Sequence, residues 1–151
     1  MKIALGSDHA GYQLKRHVID HLQKLGHECI DYGANNGVDA ASYVPYGQAV
    51  AQAILGRKCD FGIVICGTGI GISITSNKFK GIRAALCTNE YMARMARQHN
   101  DANVLAMGAR VLGSSLATSI VDAFLEEPFD SSGRHKIRVD EITDTEEANF
   151  N

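Results

Sequence analysis

Phe61-Gly62-Ile63-Val64-Ile65-Cys66-Gly67-Thr68-Gly69-Ile70-Gly71 carries an apolar run straight into a glycine-rich turn, with a cysteine at the junction. Ile63, Val64 and Ile65 are β-branched and apolar on successive residues. That pattern suits a strand covered on both faces, as in a parallel sheet flanked by helices. In such sheets ligands gather where strands end and helices begin, because unpaired N–H groups and the positive end of the helix dipole converge there. Cys66 is expected among those donors. A helix amino terminus favours the thiolate form of a cysteine, which can act as a base or as a nucleophile.

Outward from this junction the chain alternates strand and helix patterns. A strand over 2–5 precedes a helix over 12–25, in which Leu14, Val18, Leu22 and Leu25 recur at helical spacing before Gly26. A strand over 28–32 and a polar loop lead to a helix beginning near Pro45, with Ala49, Val50, Ala53 and Ile54 on its apolar face. The strand over 61–66 is followed by a helix after the glycines. Strands over 83–87 and 104–107 are followed by helices over 90–98 and 115–125. Strict alternation predicts an α/β fold, a Rossmann-like three-layer αβα sandwich on a five-stranded parallel sheet with right-handed crossovers. Residues 1–151 read as one domain. After Pro128 the composition turns polar, and 134–147 reads as a charged helix that buries little of itself on its own monomer. Residues 128–151 are therefore expected to form an arm that packs on a partner subunit.

The formal net charge of -2 over 151 residues gives no global attraction to nucleic acid or to an acidic membrane, so anion recognition must be local and the expected ligand is a small molecule. No apolar stretch is long enough to span a bilayer, and the amino terminus enters a strand without a signal-like apolar region. Cys29, Cys59, Cys66 and Cys87 lack close C-x-x-C pairing. Reduced thiols and a cytoplasmic location are the expectation, with Cys29, Cys59 and Cys87 as inert packing or surface residues.

Each candidate site has a plainer alternative. Gly67, Gly69 and Gly71 are spaced G-x-G-x-G, one residue short of the dinucleotide fingerprint, although Glu90 lies about 20 residues on, where a ribose-binding acid would stand. Asp8 and His9 follow the first strand and fall at the same edge as Cys66; an aspartate there is also a common helix cap. His99-Asn100-Asp101 follows the fourth helix, on the return toward the fifth strand and away from strand ends. His99 would reach Cys66 only from a second subunit or through a leaning helix, and otherwise reads as a surface group near a helix end. His17 and His21 stand one helical turn apart without a third ligand, as the flank of an amphipathic helix would. Arg134 and Arg138, four apart on a helix, could grip one phosphate together with Arg110, or form a solvated face.

Gly6-Ser7-Asp8-His9-Ala10-Gly11, the Ile65 to Ser73 turn, Asn77-Lys78, Arg97-Gln98-His99-Asn100-Asp101-Ala102-Asn103-Val104 and Gly133-Arg134-His135-Lys136-Ile137-Arg138-Val139 together resemble the type B ribose-5-phosphate isomerase family, over nearly the whole chain. The resemblance implies an aldose–ketose isomerase of the non-oxidative pentose phosphate pathway, interconverting ribose 5-phosphate and ribulose 5-phosphate through a cis-enediolate without metal or cofactor. It makes Cys66 the base between C1 and C2, and Thr68 its assistant. Gly67, Thr68, Gly69, Ile70 and Gly71 supply the donors for the enediolate oxygen, and His99 opens the furanose ring. Asp8, His9 and Asn100 would hold sugar hydroxyls, with Arg110, Arg134 and Arg138 on the phosphate. The site would be shared within a homodimer, or within a tetramer built from two of them. Relatives without the cysteine use a glutamate just beyond the turn, where this chain has Ile72. The chain also reads Ser42-Tyr43-Val44-Pro45-Tyr46 where relatives commonly have Asp-Tyr-Pro. A 6-phosphohexose isomerase for allose or galactose 6-phosphate is the alternative within the family. A non-catalytic nucleotide or sugar-phosphate binding module is the alternative outside it.

Overall fold

The computed structural model describes residues 1–150. Five strands, β1 (Lys2–Ser7), β2 (Glu28–Asp31), β3 (Phe61–Cys66), β4 (Ala84–Leu86) and β5 (Val104–Gly108), form one sheet in the order β2-β1-β3-β5-β4. Every pairing is parallel. The helices are α1 (Tyr12–Lys24), α2 (Val44–Leu55), α3 (Ile70–Ser76), α4 (Glu90–Asn100), α5 (Ser114–Glu126) and α6 (Gly133–Asn149).

Because strand side chains alternate faces, one sheet makes two cores. Ile3, Leu5, Ile63, Ile65, Leu105 and Met107 pack with apolar residues of α1, α4 and α5. Ala4, Val64, Cys66, Val104 and Ala106 pack with those of α2 and α3. The continuous apolar run of β3 is thereby explained: both of its faces are covered, and β1 and β5 pair along its two edges. The chain winds from β1 outward to β2, then crosses back to β3 and proceeds the other way. The carboxyl ends of β1 and β3 thus meet at the topological switch point, where open α/β sheets bind ligands.

Several boundaries differ from the sequence reading, and three of them bear on the site. Helix α2 begins at Val44, placing Pro45 in its first turn, where the missing N–H leaves no bond unmade. Strand β4 shortens to Ala84–Leu86. Helix α4 continues to Asn100, so His99 and Asn100 form its last turn rather than following it. Its C-cap is Asp101 at φ 46°. Arg83 donates to the carbonyls of Asn100 (3.0 Å) and Asp101 (2.9 Å), and Arg97 donates to Asp101 Oδ1 at 2.8 Å. Arg83 thus gives donors to carbonyls at the helix end that fraying would otherwise expose to water, and Arg97 holds the Asp101 side chain beside them.

Helix α6 lies on its own domain along a narrow stripe. It packs against α4 and buries only His135 and Val139. Its far end is anchored where Glu146 accepts from the Gly81 N–H at 2.9 Å and Lys80 pairs with Glu147 at 2.6 Å. Ile137, Ile142 and Phe150 stay exposed.

One polar contact ties the switch-point edge together. The Lys15 side chain is fully buried, and its ammonium donates to Asp31 Oδ1 at 2.6 Å and to the Ala34 carbonyl at 2.7 Å. Burial pulls this ammonium below the ordinary lysine range, against the opposing effect of Asp31. Asp31 Oδ1 also accepts from the Gly33 N–H at 2.9 Å, and the Gly33 carbonyl accepts from the Ser7 N–H at 2.7 Å. Replacing Lys15 with Met should cost about 1–3 kcal/mol, because it strands the buried Ala34 carbonyl and takes the cation from the Asp31 carboxylate. Urea unfolding measures this, and an unchanged midpoint would contradict the role given to Lys15.

Candidate active site

The glycine turn is built around the sulfur. Cys66 ends β3 with its side chain buried, and its Sγ accepts the Gly69 N–H at 3.2 Å. Gly69 can turn back in this way because it sits at φ +80°, and because a Cβ there would come within 2.5 Å of Leu86 and 2.7 Å of the Met107 backbone. Thr68 Oγ1 accepts the Ile70 N–H at 3.2 Å, so its hydroxyl proton is free to donate elsewhere. Two of the five amides expected as ligand donors are therefore engaged within the turn. Among the described residues, the N–H groups of Gly71 and Ile72 find no protein acceptor ahead of the first bonds of α3.

The neighbouring strands bring further groups to this edge. Ser7 pairs with Ile65, which sets Asp8 and His9 beside the turn. Asp8 is buried and accepts the Gly11 N–H at 3.0 Å. Gly11 lies flat on β3: a Cβ there would stand 2.6 Å from the Ile65 carbonyl oxygen. His9 Nδ1 accepts the Ala41 N–H at 3.1 Å, which leaves the ring proton of the neutral form on Nε2, as a donor. On the other side Cys66 pairs with Gly108, the Arg110 N–H donates to the Gly67 carbonyl at 2.9 Å, and the Arg110 guanidinium lies against Gly67. Cys66, Thr68, Asp8, His9, Arg110 and the run from Gly67 to Gly71 thus share one edge of the sheet.

His99, Asn100, Arg134 and Arg138 are elsewhere. The end of α4 returns the chain to the amino end of β5, whereas Cys66 pairs with its carboxyl end. The strand from Val104 to Gly108 spans roughly 13 Å at about 3.3 Å per residue. There the His99 ring stacks on His135, with ring centres 4.0 Å apart and planes 8° from parallel. Arg134 and Arg138 are exposed on the first turns of α6. Within one chain the expected site is therefore split between two edges of the sheet.

The plainer readings hold where they concern other groups. His21 Nε2 pairs with Asp122 at 2.7 Å across to α5. Glu90 opens α4 after the edge strand β4, and β5 separates that strand from β3, so its carboxylate is misplaced for a ribose seated on the glycine turn. Burial pushes the thiols of Cys29 and Cys87 up to about 11, and raises that of Cys59, so all three stay protonated near neutrality.

The structure adds Tyr43, which the sequence reading did not single out as a site residue. Its ring covers Gly71 so closely that a Cβ there would lie 2.3 Å from Cζ and 2.7 Å from the hydroxyl oxygen. The available signal was an aromatic two residues before a helix-opening proline, in the segment that departs from the common Asp-Tyr-Pro. Substituting Gly71→Ala should displace Tyr43 and cost about 1–3 kcal/mol. In a double-mutant cycle Tyr43→Ala should remove most of that penalty. Additive losses would contradict the contact.

Residues 3–142 match the family described as Ribose/Galactose Isomerase. Ribose-5-phosphate isomerase B of Escherichia coli is 49% identical, over 97% of this chain and 97% of that protein. D-erythrulose-4-phosphate isomerase of Pectobacterium atrosepticum is 41% identical, over 88% of each. The structure of Clostridium thermocellum Ribose-5-Phosphate Isomerase B superimposes with a TM-score of 0.95 at 54% identity, covering 98% of this chain and 99% of that one. With a match of this extent joined to a sheet edge that seats a cysteine in a glycine turn, the chain belongs to the ribose/galactose isomerase family.

Proposed function

We propose that the protein interconverts ribose 5-phosphate and ribulose 5-phosphate by moving a proton between C1 and C2, as an aldose–ketose isomerase that needs no metal or cofactor. The observation that carries this reading is Cys66 Sγ, seated at the switch point and receiving an N–H from a turn that only glycine can form. Such a hydrogen bond is stronger to a thiolate than to a thiol. Relatives that cover the chain end to end are named for the pentose reaction, which favours it over the 6-phosphohexose alternative.

In the open-chain aldose the Cys66 thiolate takes the C2 proton, and the electron pair forms the C1–C2 double bond while O1 gains the negative charge. The thiol returns its proton to C1, and O1 gains the proton that O2 gives up as the ketone forms, so neither protons nor electrons leave the substrate. The Gly67, Thr68, Gly71 and Ile72 amides and the Thr68 hydroxyl are among the donors free to meet the developing charge. Each such fixed donor lowers a barrier by about 3 kcal/mol. Asp8 and the Nε2–H of His9 hold sugar hydroxyls, and Arg110 adds positive charge beside the turn.

The second half of the site, with His99 for ring opening, Asn100 for a hydroxyl, and Arg134 and Arg138 for the phosphate, comes from a partner subunit in a homodimer. Three features support a second copy. His99 lies across the sheet from Cys66 in its own chain. Among the described residues, the outer edge of β4 is unpaired. Beside that edge Ile82, Ala84, Ala102, Ile142 and Phe150 line a cavity of about 590 Å³. An unpaired strand edge with apolar surroundings is a surface that another chain covers. Two such dimers would make a tetramer, and the arm over 128–151 contributes to these contacts. A reduced cytoplasmic setting would keep the Cys66 thiol available.

Cys66→Ala should lower turnover by about 10²- to 10⁴-fold, abolish deuterium incorporation at C2, and leave sugar-phosphate binding by calorimetry largely intact. Turnover retained in that variant would remove Cys66 as the base. Loss of activity on EDTA treatment, restored by metal, would overturn the metal-independent reading. Faster turnover of allose or galactose 6-phosphate than of ribose 5-phosphate would move the assignment to a hexose.

A further inference from the structure

His135 is a buried titratable group for which the isomerisation has no use. It is 7% exposed, and its Nδ1 is buried without a hydrogen-bond partner. An orphaned polar atom costs stability, and a phenylalanine or leucine at the same place on α6 would avoid that cost. What the imidazole does have is a flat contact on His99.

The contact is held from both sides. The Asp130 N–H donates to the Gln98 carbonyl at 3.0 Å, tying the approach to α6 onto the last turn of α4. Asp130 Oδ1 accepts from the Ser132 N–H at 3.0 Å and from its hydroxyl at 2.5 Å, which fixes the start of α6 just before His135. On the other side Arg83 and Arg97 hold the end of α4 through Asn100 and Asp101. The two rings are thus brought together by elements that are each anchored, and each restricts rotation of the other.

We propose that His135 is a positioning residue for His99: stacked flat on it, His135 fixes the plane in which His99 meets the ring oxygen of a cyclic sugar phosphate. This rests on the reading of His99 as the ring-opening group. In that step the C1–O4 bond breaks, the O1 proton leaves as C1=O1 forms, and O4 takes up a proton. Direction matters to such a transfer more than presence does. Burial, and next the neighbouring His99, hold the His135 imidazolium below the ordinary histidine range, with Arg134 and Arg138 acting in the same sense and Asp130 against it. His135 is therefore a neutral platform near pH 7 and takes no part in the proton transfer assigned to His99.

An aldotetrose 4-phosphate tests this, because its O4 carries the phosphate and it cannot close a furanose ring. It still needs the C2 proton removed, and the Pectobacterium relative bears the name of an isomerase for the corresponding ketose. The measurement is the kcat/KM for ribose 5-phosphate divided by that for erythrose 4-phosphate, in the full-length protein, with His135→Ala, His135→Phe and His99→Ala variants. Where tetrose turnover is slow, deuterium incorporation at its C2 supplies the second rate. His135→Ala should lower the ratio about 10- to 100-fold, His99→Ala at least as much, and His135→Phe should recover most of it by restoring a flat ring. A ratio unchanged in His135→Ala, or one that His135→Phe fails to recover, overturns the positioning role. A ratio unchanged also in His99→Ala overturns the ring-opening reading itself. If His135→Ala does not fold, His135→Leu takes its place: buried apolar volume without a flat ring should leave the ratio low, and a normal ratio there overturns the proposal.

Discussion

The hydrogen bond from the Gly69 N–H to Cys66 Sγ is possible only because residue 69 has no side chain, and the site is arranged around that constraint. The left-handed turn at Gly69 sends the chain back over the end of β3, so the sulfur receives an amide and α3 starts on the same edge. Leu86 from β4 and the Met107 backbone from β5 occupy the volume that a Cβ would take. The sheet, in other words, closes up against the turn. Without the parallel pairing of β3 between β1 and β5, neither Asp8 and His9 nor Arg110 would stand beside it.

A second consequence of the parallel sheet is division. Every helix in an alternating α/β chain carries the backbone from the carboxyl edge to the amino edge, and residues at its two ends are separated by the length of a strand. His99 and Asn100 close α4, so they are delivered to the edge opposite Cys66. Helix α6 then places Arg134 and Arg138 near His99 instead of near the turn, because His135 and Val139 dock on α4. On the proposed chemistry, the sulfur, the imidazole and the phosphate grip would meet at one sugar only where a second copy of the chain supplies the missing half.

Much of this was legible in the sequence, for physical reasons. The β-branched run over 63–65 could be satisfied only by burial on two faces, and the spacing of Leu14, Val18 and Leu22 fixed α1. The cysteine turn was legible because glycines at 67, 69 and 71, directly after a buried strand, leave the backbone free to double back over the strand end. The awkward position of His99 was also visible, since a residue before a strand lies at its amino end. What escaped depends on contacts between distant segments. Lys15 reads as part of a polar helix face, yet it is sealed in by Asp31 and Ala34, which arrive from the next strand and loop. Tyr43 covers Gly71 only because α2 and α3 pack side by side. His135 looks like one more charged-helix residue until α4 supplies its partner ring. The extension of α4 through Asn100 follows from Arg83 and Arg97 capping it, which no local propensity announces.

The central claim is that each site takes Cys66 from one subunit and His99 from another. Mixing Cys66→Ala and His99→Ala chains after reversible unfolding, then measuring ribose 5-phosphate isomerisation, tests it directly. Neither variant alone retains an intact site. In a shared-site dimer, however, each mixed pair regains one site, so random reassembly should restore about a quarter of wild-type activity. Activity that stays at the level of the separate variants, in a mixture shown to contain heterodimers, would place both residues in one chain and contradict the account.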